Sequence, residues 1–131
     1  MIIAVHTLIY SDDPVATRAF FRDVLKWPFV ADEASSGEAG DWLIFRSGRS
    51  ELGVHPTSAE HGGQTFSAPR HHEMSLLCDD LTATMADLTA RGATFSGEPT
   101  DRGFGIAVTL QVPGADDILL YQPQHRVAYG L

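Results

Sequence analysis

One stretch of this chain occurs twice. Asp12-Asp13-Pro14-Val15-Ala16-Thr17-Arg18-Ala19 and Asp79-Asp80-Leu81-Thr82-Ala83-Thr84-Met85-Ala86 share identical residues at 12/79, 13/80, 16/83, 17/84 and 19/86, every pair 67 positions apart. The same spacing carries Pro56 onto Pro123 and lays the apolar run Thr7 to Tyr10 over Met74 to Leu77. A gap-free repeat of this kind marks two copies of one supersecondary unit. At about 55 residues each, the copies are too small to hold a good core alone. They are therefore expected to pack together or against a second chain.

The length of 131 residues allows one domain of ordinary size. With 9 Lys+Arg against 17 Asp+Glu, the net charge of −8 argues against nucleic acid, which needs a basic surface. An acidic balance instead suits cationic small molecules or solubility. No apolar run approaches the roughly 20 residues of a membrane-spanning helix, so no membrane partner is expected. Met1-Ile2-Ile3-Ala4-Val5 lacks a basic segment and reads as a strand rather than a signal peptide. The lone cysteine, Cys78, excludes an intrachain disulfide and a Cys-rich zinc site, and a cytoplasmic location is the expectation.

Each copy reads as β-α-β-β-β. In the first, residues 2–10 form a β-branched, aromatic strand. Ser11-Asp12-Asp13-Pro14 then starts a helix over 15–25, whose apolar stripe is Ala19, Phe20, Val24 and Phe21, and Trp27-Pro28 ends it. Residues 29–31, 42–46 and 51–55 follow as short strands, with turns at 35–40 and 47–50. In the second, the strands are 73–77, 93–96, 106–112 and 118–121, and the helix spans 81–91. Residues 57–70, polar with two glycines, read as a mobile surface loop.

Several residues attract attention singly. His71-His72-Glu73 looks metal-like, but neighbours on a strand point to opposite faces and the three cannot converge. His72 is better placed at the entrance to the second copy. His55, His61 and His125 lack a second ligand at a usable spacing and read as surface residues. Cys78 has no neighbouring His or Lys to activate it and reads as buried and inert. Arg102-Gly103-Phe104-Gly105 has a hairpin's glycines but not the spacing of a dinucleotide loop.

The duplicated β-α-β-β-β pattern, together with Val5-His6-Thr7-Leu8-Ile9-Tyr10, the helix carrying Ala19-Phe20-Phe21, Arg22-Asp23-Val24-Leu25-Lys26-Trp27-Pro28, and Pro113-Gly114 ahead of Ile118-Leu119-Leu120-Tyr121-Gln122-Pro123, resembles the vicinal oxygen chelate superfamily. That group includes glyoxalase I, extradiol dioxygenases and bleomycin-resistance proteins. The resemblance implies an α+β fold in which two tandem modules form an open, barrel-like mixed sheet with helices outside. It makes residues 1–131 one domain, with module one at about 1–56, a linker at 57–70 and module two at about 71–125.

In metal-using members, the first and last strand of each module supply one ligand apiece to a divalent metal, which acts as a Lewis acid or redox centre. Carried over, His6 and Glu73 occupy the two first-strand positions. The last-strand positions, four residues before Pro56 and Pro123, hold Leu52 and Leu119. Two ligands are too few for a tightly held catalytic metal. Glu51 would join them only after a register slip or a bulge near Gly53, since a one-residue slip turns every side chain over. No metal or other cofactor is therefore expected, with a divalent ion on His6, Glu73 and Glu51 the alternative.

The resemblance also implies a cleft between the modules, with Glu73 as base or cation anchor and His6 as its partner, unless the two form a plain buried pair. Tyr10, Trp42, Phe104, Leu119 and Tyr121 would wall it, although aromatics on strands also serve as simple core. Three readings stay open: a metal-independent protein sequestering a small molecule, a metal-dependent lyase, isomerase or dioxygenase, and a structural module with a filled cleft. A homodimer is expected in each case.

Overall fold

A computed structural model of the chain describes residues 1, 4, 6–31 and 36–131, with His61 described in its backbone only. Two helices begin at equivalent places in the repeat. α1 (Pro14–Ala19) is capped by Asp13, whose side chain accepts from Ala16 N–H at 3.1 Å. α2 (Leu81–Ala90) is capped by Asp80, which accepts from Ala83 N–H at 3.0 Å. Each carboxylate satisfies an amide that has no partner inside its helix. The helix expected over 15–25 is not uniform: after Ala19 it widens into a π-helical turn, Phe20–Val24. Lys26 then takes a left-handed conformation (φ 59°) ahead of Trp27-Pro28, the expected stop.

The second copy forms a four-stranded sheet from β5 (Ser75–Leu77), β6 (Phe95–Asp101), β7 (Gly105–Leu110) and β8 (Ile118–Pro123), in the order β5-β8-β7-β6. β5 runs parallel to β8 with Ser75 opposite Leu119 and Leu77 opposite Tyr121, and the other pairings are antiparallel. Side chains alternate between faces with the two-residue period of a strand. Leu76, Val108, Leu110, Ile118 and Leu120 pack on one face with Phe20, Phe21, Leu81 and Leu88 from the helices, and this layer is the core. Ser75, Leu77, Leu119 and Tyr121 take the other face.

The first copy departs from its expected pattern. β1 (Phe29–Ala31) and β2 (Leu43–Phe45) pair antiparallel as expected. Residues 6–10 and 51–55, both read from sequence as strands, form none. Leu8, Tyr10, Leu52 and Val54 stand 55%, 89%, 86% and 91% exposed. Ile2, Ile3 and Val5 of the first of these segments, and Ser35 of the turn expected at 35–40, lie outside the described residues. The linker also differs. In place of a mobile loop, β3 (Ser58–His61) and β4 (Gln64–Ser67) make a hairpin. Its turn is Gly62-Gly63, both at positive φ (59° and 78°), the two-residue geometry that matches the twist of the flanking strands.

The two halves are fastened at the β7–β8 turn. Asp12 N–H and the Ser11 hydroxyl both donate to Gly114 O, at 2.8 and 2.9 Å, and the buried Thr17 hydroxyl donates to Pro113 O at 2.5 Å. At the far end, Arg91 Nε donates to Val24 O at 2.6 Å. The fold class is thus the expected one, α+β with a mixed sheet covered by helices, and no closed barrel forms among the described residues. No helix among them is long and apolar enough to cross a membrane.

Candidate functional site

The uncovered face of the C-terminal sheet lines a cavity of about 440 Å³. Its lining comes from three stretches of the chain: Glu73, Ser75, Leu77 and Tyr121 on or beside the sheet, Glu51, Leu52 and Gly53 from the first copy, and His125, Arg126 and Ala128 from the C-terminal segment. A smaller cavity, about 230 Å³ beside Phe20, Ala93 and Gln111, holds one carboxylate, Asp117, and no imidazole or phenol. The larger one gathers the side chains capable of recognition chemistry.

Its centre is Tyr121. The ring is buried by its place on β8, between β5 and β7, and Phe104 from the β6–β7 turn meets it edge-on at 5.2 Å. Burial, and then the negative charge of Glu51 and of Tyr129 when ionised, push the phenol above its ordinary pKa, so it remains a neutral O–H at physiological pH. The hydroxyl lies 3.1 Å from His125 Nε2, while His125 Nδ1 lies 3.0 Å from Arg126 O. A carbonyl only accepts, so Nδ1 carries the proton; in the neutral ring Nε2 then accepts from Tyr121. Protonation of the ring would instead charge the 3.7 Å approach of Nε2 to Glu51 Oε1. Glu51 Oε2 is already engaged by Ala128 N–H at 2.7 Å.

The residues singled out from sequence divide into two groups. Glu73 and Tyr121 line the cavity, whereas Leu119, opposite Ser75 on the same sheet face, and Phe104, against the Tyr121 ring, stand beside the lining and not in it. Glu73 is exposed, and its neighbour is His71, whose Nε2 lies 3.7 Å from Oε2. His6, the expected partner, is exposed on a segment that forms no strand, and no hydrogen bond or ion pair joins it to Glu73 among the described residues. Tyr10 projects into solvent, and Trp42 stacks under the Arg18 guanidinium at 5.6 Å, away from the cavity lining. His72 is exposed. Cys78, expected to be buried, is half-buried; desolvation first, then Asp79 and Asp80, raises its pKa against a lowering hydrogen bond to Thr84, which favours the protonated thiol.

His125 and Arg126 were not legible as site residues. They reach the cavity because the chain turns back after Pro123, and no spacing in the sequence announces that reversal. Glu51 enters without the strand slip it was expected to need, because its segment is not a strand.

The donor set does not fit a tightly held metal. Among the described residues no group of three or more His, Cys, Asp or Glu side chains stands where it could hold an ion. His6 is apart from Glu73, both Glu51 oxygens face partners on the C-terminal segment, and Leu52 and Leu119 have no donor atoms. What the arrangement offers is an apolar floor, a neutral phenol, an imidazole of fixed tautomer and carboxylates at the rim. That set can orient an organic molecule by hydrogen bonds and charge.

Solved structures share this fold at low sequence identity. TnmS3, an antibiotic binding protein from Streptomyces sp. CB03234, superposes with a TM-score of 0.55 at 20% identity over 95% of this chain and 99% of its own. Lactoylglutathione lyase from Agrobacterium tumefaciens gives 0.56 at 17% identity, over 91% and 92%. An integron cassette protein from the mobile metagenome of V. cholerae gives 0.54 at 18% identity, over 93% and 97%. Such similarity establishes the fold alone. No curated protein matches the sequence. The sequence model of one family matches residues 3–117, nearly the whole repeat, and the chain belongs to the glyoxalase/bleomycin resistance protein/dioxygenase superfamily.

Proposed function

We propose that this protein binds a small organic molecule in the 440 Å³ cleft, without using a resident metal. The observation that carries the reading is the composition of the cleft: Tyr121 and His125 form a hydrogen-bonded pair over an apolar sheet face, with Glu73 exposed at the rim and no metal-competent donor set among the described residues. Glu73 anchors a cationic group, the Tyr121–His125 pair takes a polar atom, and Leu77 and Leu52 contact the apolar part, with Leu119 and Phe104 beside them. The antibiotic-binding relative with the same fold is consistent with this use. A saturable thermal shift with a member of a panel of cationic aromatic drugs and thiol–dicarbonyl adducts is expected. It should reach several degrees at a hundredfold excess over Kd and be lost in Glu73→Ala. A flat response across the panel would overturn the reading, as would one zinc, iron, manganese or nickel bound per chain and lost in His6→Ala.

The same reading takes residues 1–131 as one cytoplasmic domain of two modules, about 1–56 and 71–125. It also takes the working form to be a homodimer, because Leu8, Tyr10, Leu52 and Val54 expose more apolar surface than a lone chain of this size ordinarily leaves uncovered. Sedimentation equilibrium should give about twice 14.2 kDa and fall toward one chain in Tyr10→Lys with Val54→Asp. A single-chain mass for the unaltered protein at all concentrations would refute the dimer.

A further inference from the structure

The chain beyond β8 crosses the cleft. Gln124 N–H donates to Phe104 O at 2.8 Å, His125 rests against Tyr121, and Ala128 N–H donates to Glu51 Oε2 at 2.7 Å. The last bond joins residues 77 positions apart and links the C-terminal segment to the part of the lining that the first copy supplies. Leu131 N–H then closes a turn back onto Ala128 O at 3.1 Å. Arg126 and Ala128 therefore join the cavity lining from beyond the last strand.

We propose that residues 124–131 are a strap over the cleft and that Glu51 is its latch. Glu51 is then a positioning residue. Its carboxylate, with 19% of the side chain exposed, holds the strap through the Ala128 amide and presents its second oxygen to His125. A hydrogen bond to a charged acceptor is among the stronger single ties available to a surface segment. Because the strap shares the cavity lining with Glu73 and Leu77, opening that tie widens the way in for a molecule binding there. The latch also accounts for a glutamate at a position where the second copy has Ile118, 67 residues on. The access role rests on the cleft being the binding site; the latch itself does not.

The test reads both parts in the full-length chain. Amide hydrogen exchange at Ala128 should quicken on the order of tenfold or more in Glu51→Ala, and less in Glu51→Gln, which keeps an acceptor oxygen without the charge. The cationic aromatic dye thioflavin T, mixed by stopped flow, should enter faster by a similar factor. Ala128→Pro removes the donor from the other side and should quicken exchange at Tyr129 and dye entry. In that background Glu51→Ala should add little further, a non-additivity that a merely structural glutamate would not show. Unchanged Ala128 exchange in Glu51→Ala, or additive effects of the two substitutions, would overturn the latch. Faster exchange with unchanged dye entry would overturn the strap's control of access. Dye that binds neither protein would count against the cleft as a binding site and the access role alike, leaving exchange to decide the latch.

Discussion

The two copies of the repeat begin their helices identically and finish their sheets differently. Asp13 and Asp80 cap α1 and α2 with the same bond, to Ala16 and Ala83. Yet Ser75–Leu77 pairs with β8, whereas the residues 67 positions earlier, 8–10 and 52–54, do not pair. The inner face of each last strand supplies the reason. In the second copy Ile118 and Leu120 are buried against the helices. Their counterparts are Glu51 and Gly53, a charge and a residue with no side chain. A cap is a local device that needs four consecutive residues. A parallel strand pair is non-local, and here it persists where one of its faces is buried against the helices. One repeat can therefore keep the first and lose the second.

The largest expected contrast lies in those strands. Leu120→Ala should lower unfolding stability by about 2–5 kcal/mol, through lost burial and the cavity left behind. Leu52→Ala should change it by no more than about 0.5 kcal/mol in a lone chain. Urea titration of both variants checks this, and a cost at Leu52 that grows with protein concentration would show a second chain covering that face. Next, Asp13→Ala and Asp80→Ala should each cost about 1 kcal/mol. A difference well beyond a few tenths between them, by the same titration, would mean that the two caps are equivalent in geometry only.

The smallest effect concerns Tyr121, whose counterpart is the non-titrating Val54. Burial raises the Tyr121 pKa in the folded chain, so the folded state holds its proton where the unfolded state has released it. The stabilising contribution is complete below the unfolded value of about 10 and is lost as pH rises through the folded one. Stability measured from pH 9 to 11 should fall less steeply in Tyr121→Phe than in the unaltered protein. Parallel curves would remove Tyr121 from the alkaline response.

How much could be read from the residues follows the same division. Helix starts, the β7–β8 hairpin and the alternation along β8 depend on neighbours in sequence, and they were legible. The repeat frame set Glu73 opposite His6 in sequence, whereas Leu119 and Tyr121 were expected at a cleft only through the family resemblance. Residues 6–10 and 51–55 were over-read: the β-branched and aromatic side chains of the first, and the likeness of the second to 118–122, signal a strand without reporting whether a partner is present. The 58–67 hairpin was under-read because its strands are polar, although Gly62-Gly63 is a recognisable two-residue turn signal. His125 entered the site through a chain reversal, and Trp42 lies under Arg18 outside the cavity lining; neither has a local signature.

The turn that fastens the halves has a consequence for what can be inserted where. Gly114 sits at φ +78°, and a β-carbon there would lie 2.8 Å from both Asp13 O and Ser11 Oγ. Position 114 therefore admits no side chain on two separate counts, its backbone conformation and the space around it. Lengthening this turn would displace the start of α1, a hundred residues away in sequence, and with it the angle between the halves. At the Gly62-Gly63 turn, by contrast, a β-carbon on either residue would meet nothing within 4 Å. A tag, a fluorophore or a whole guest domain belongs there.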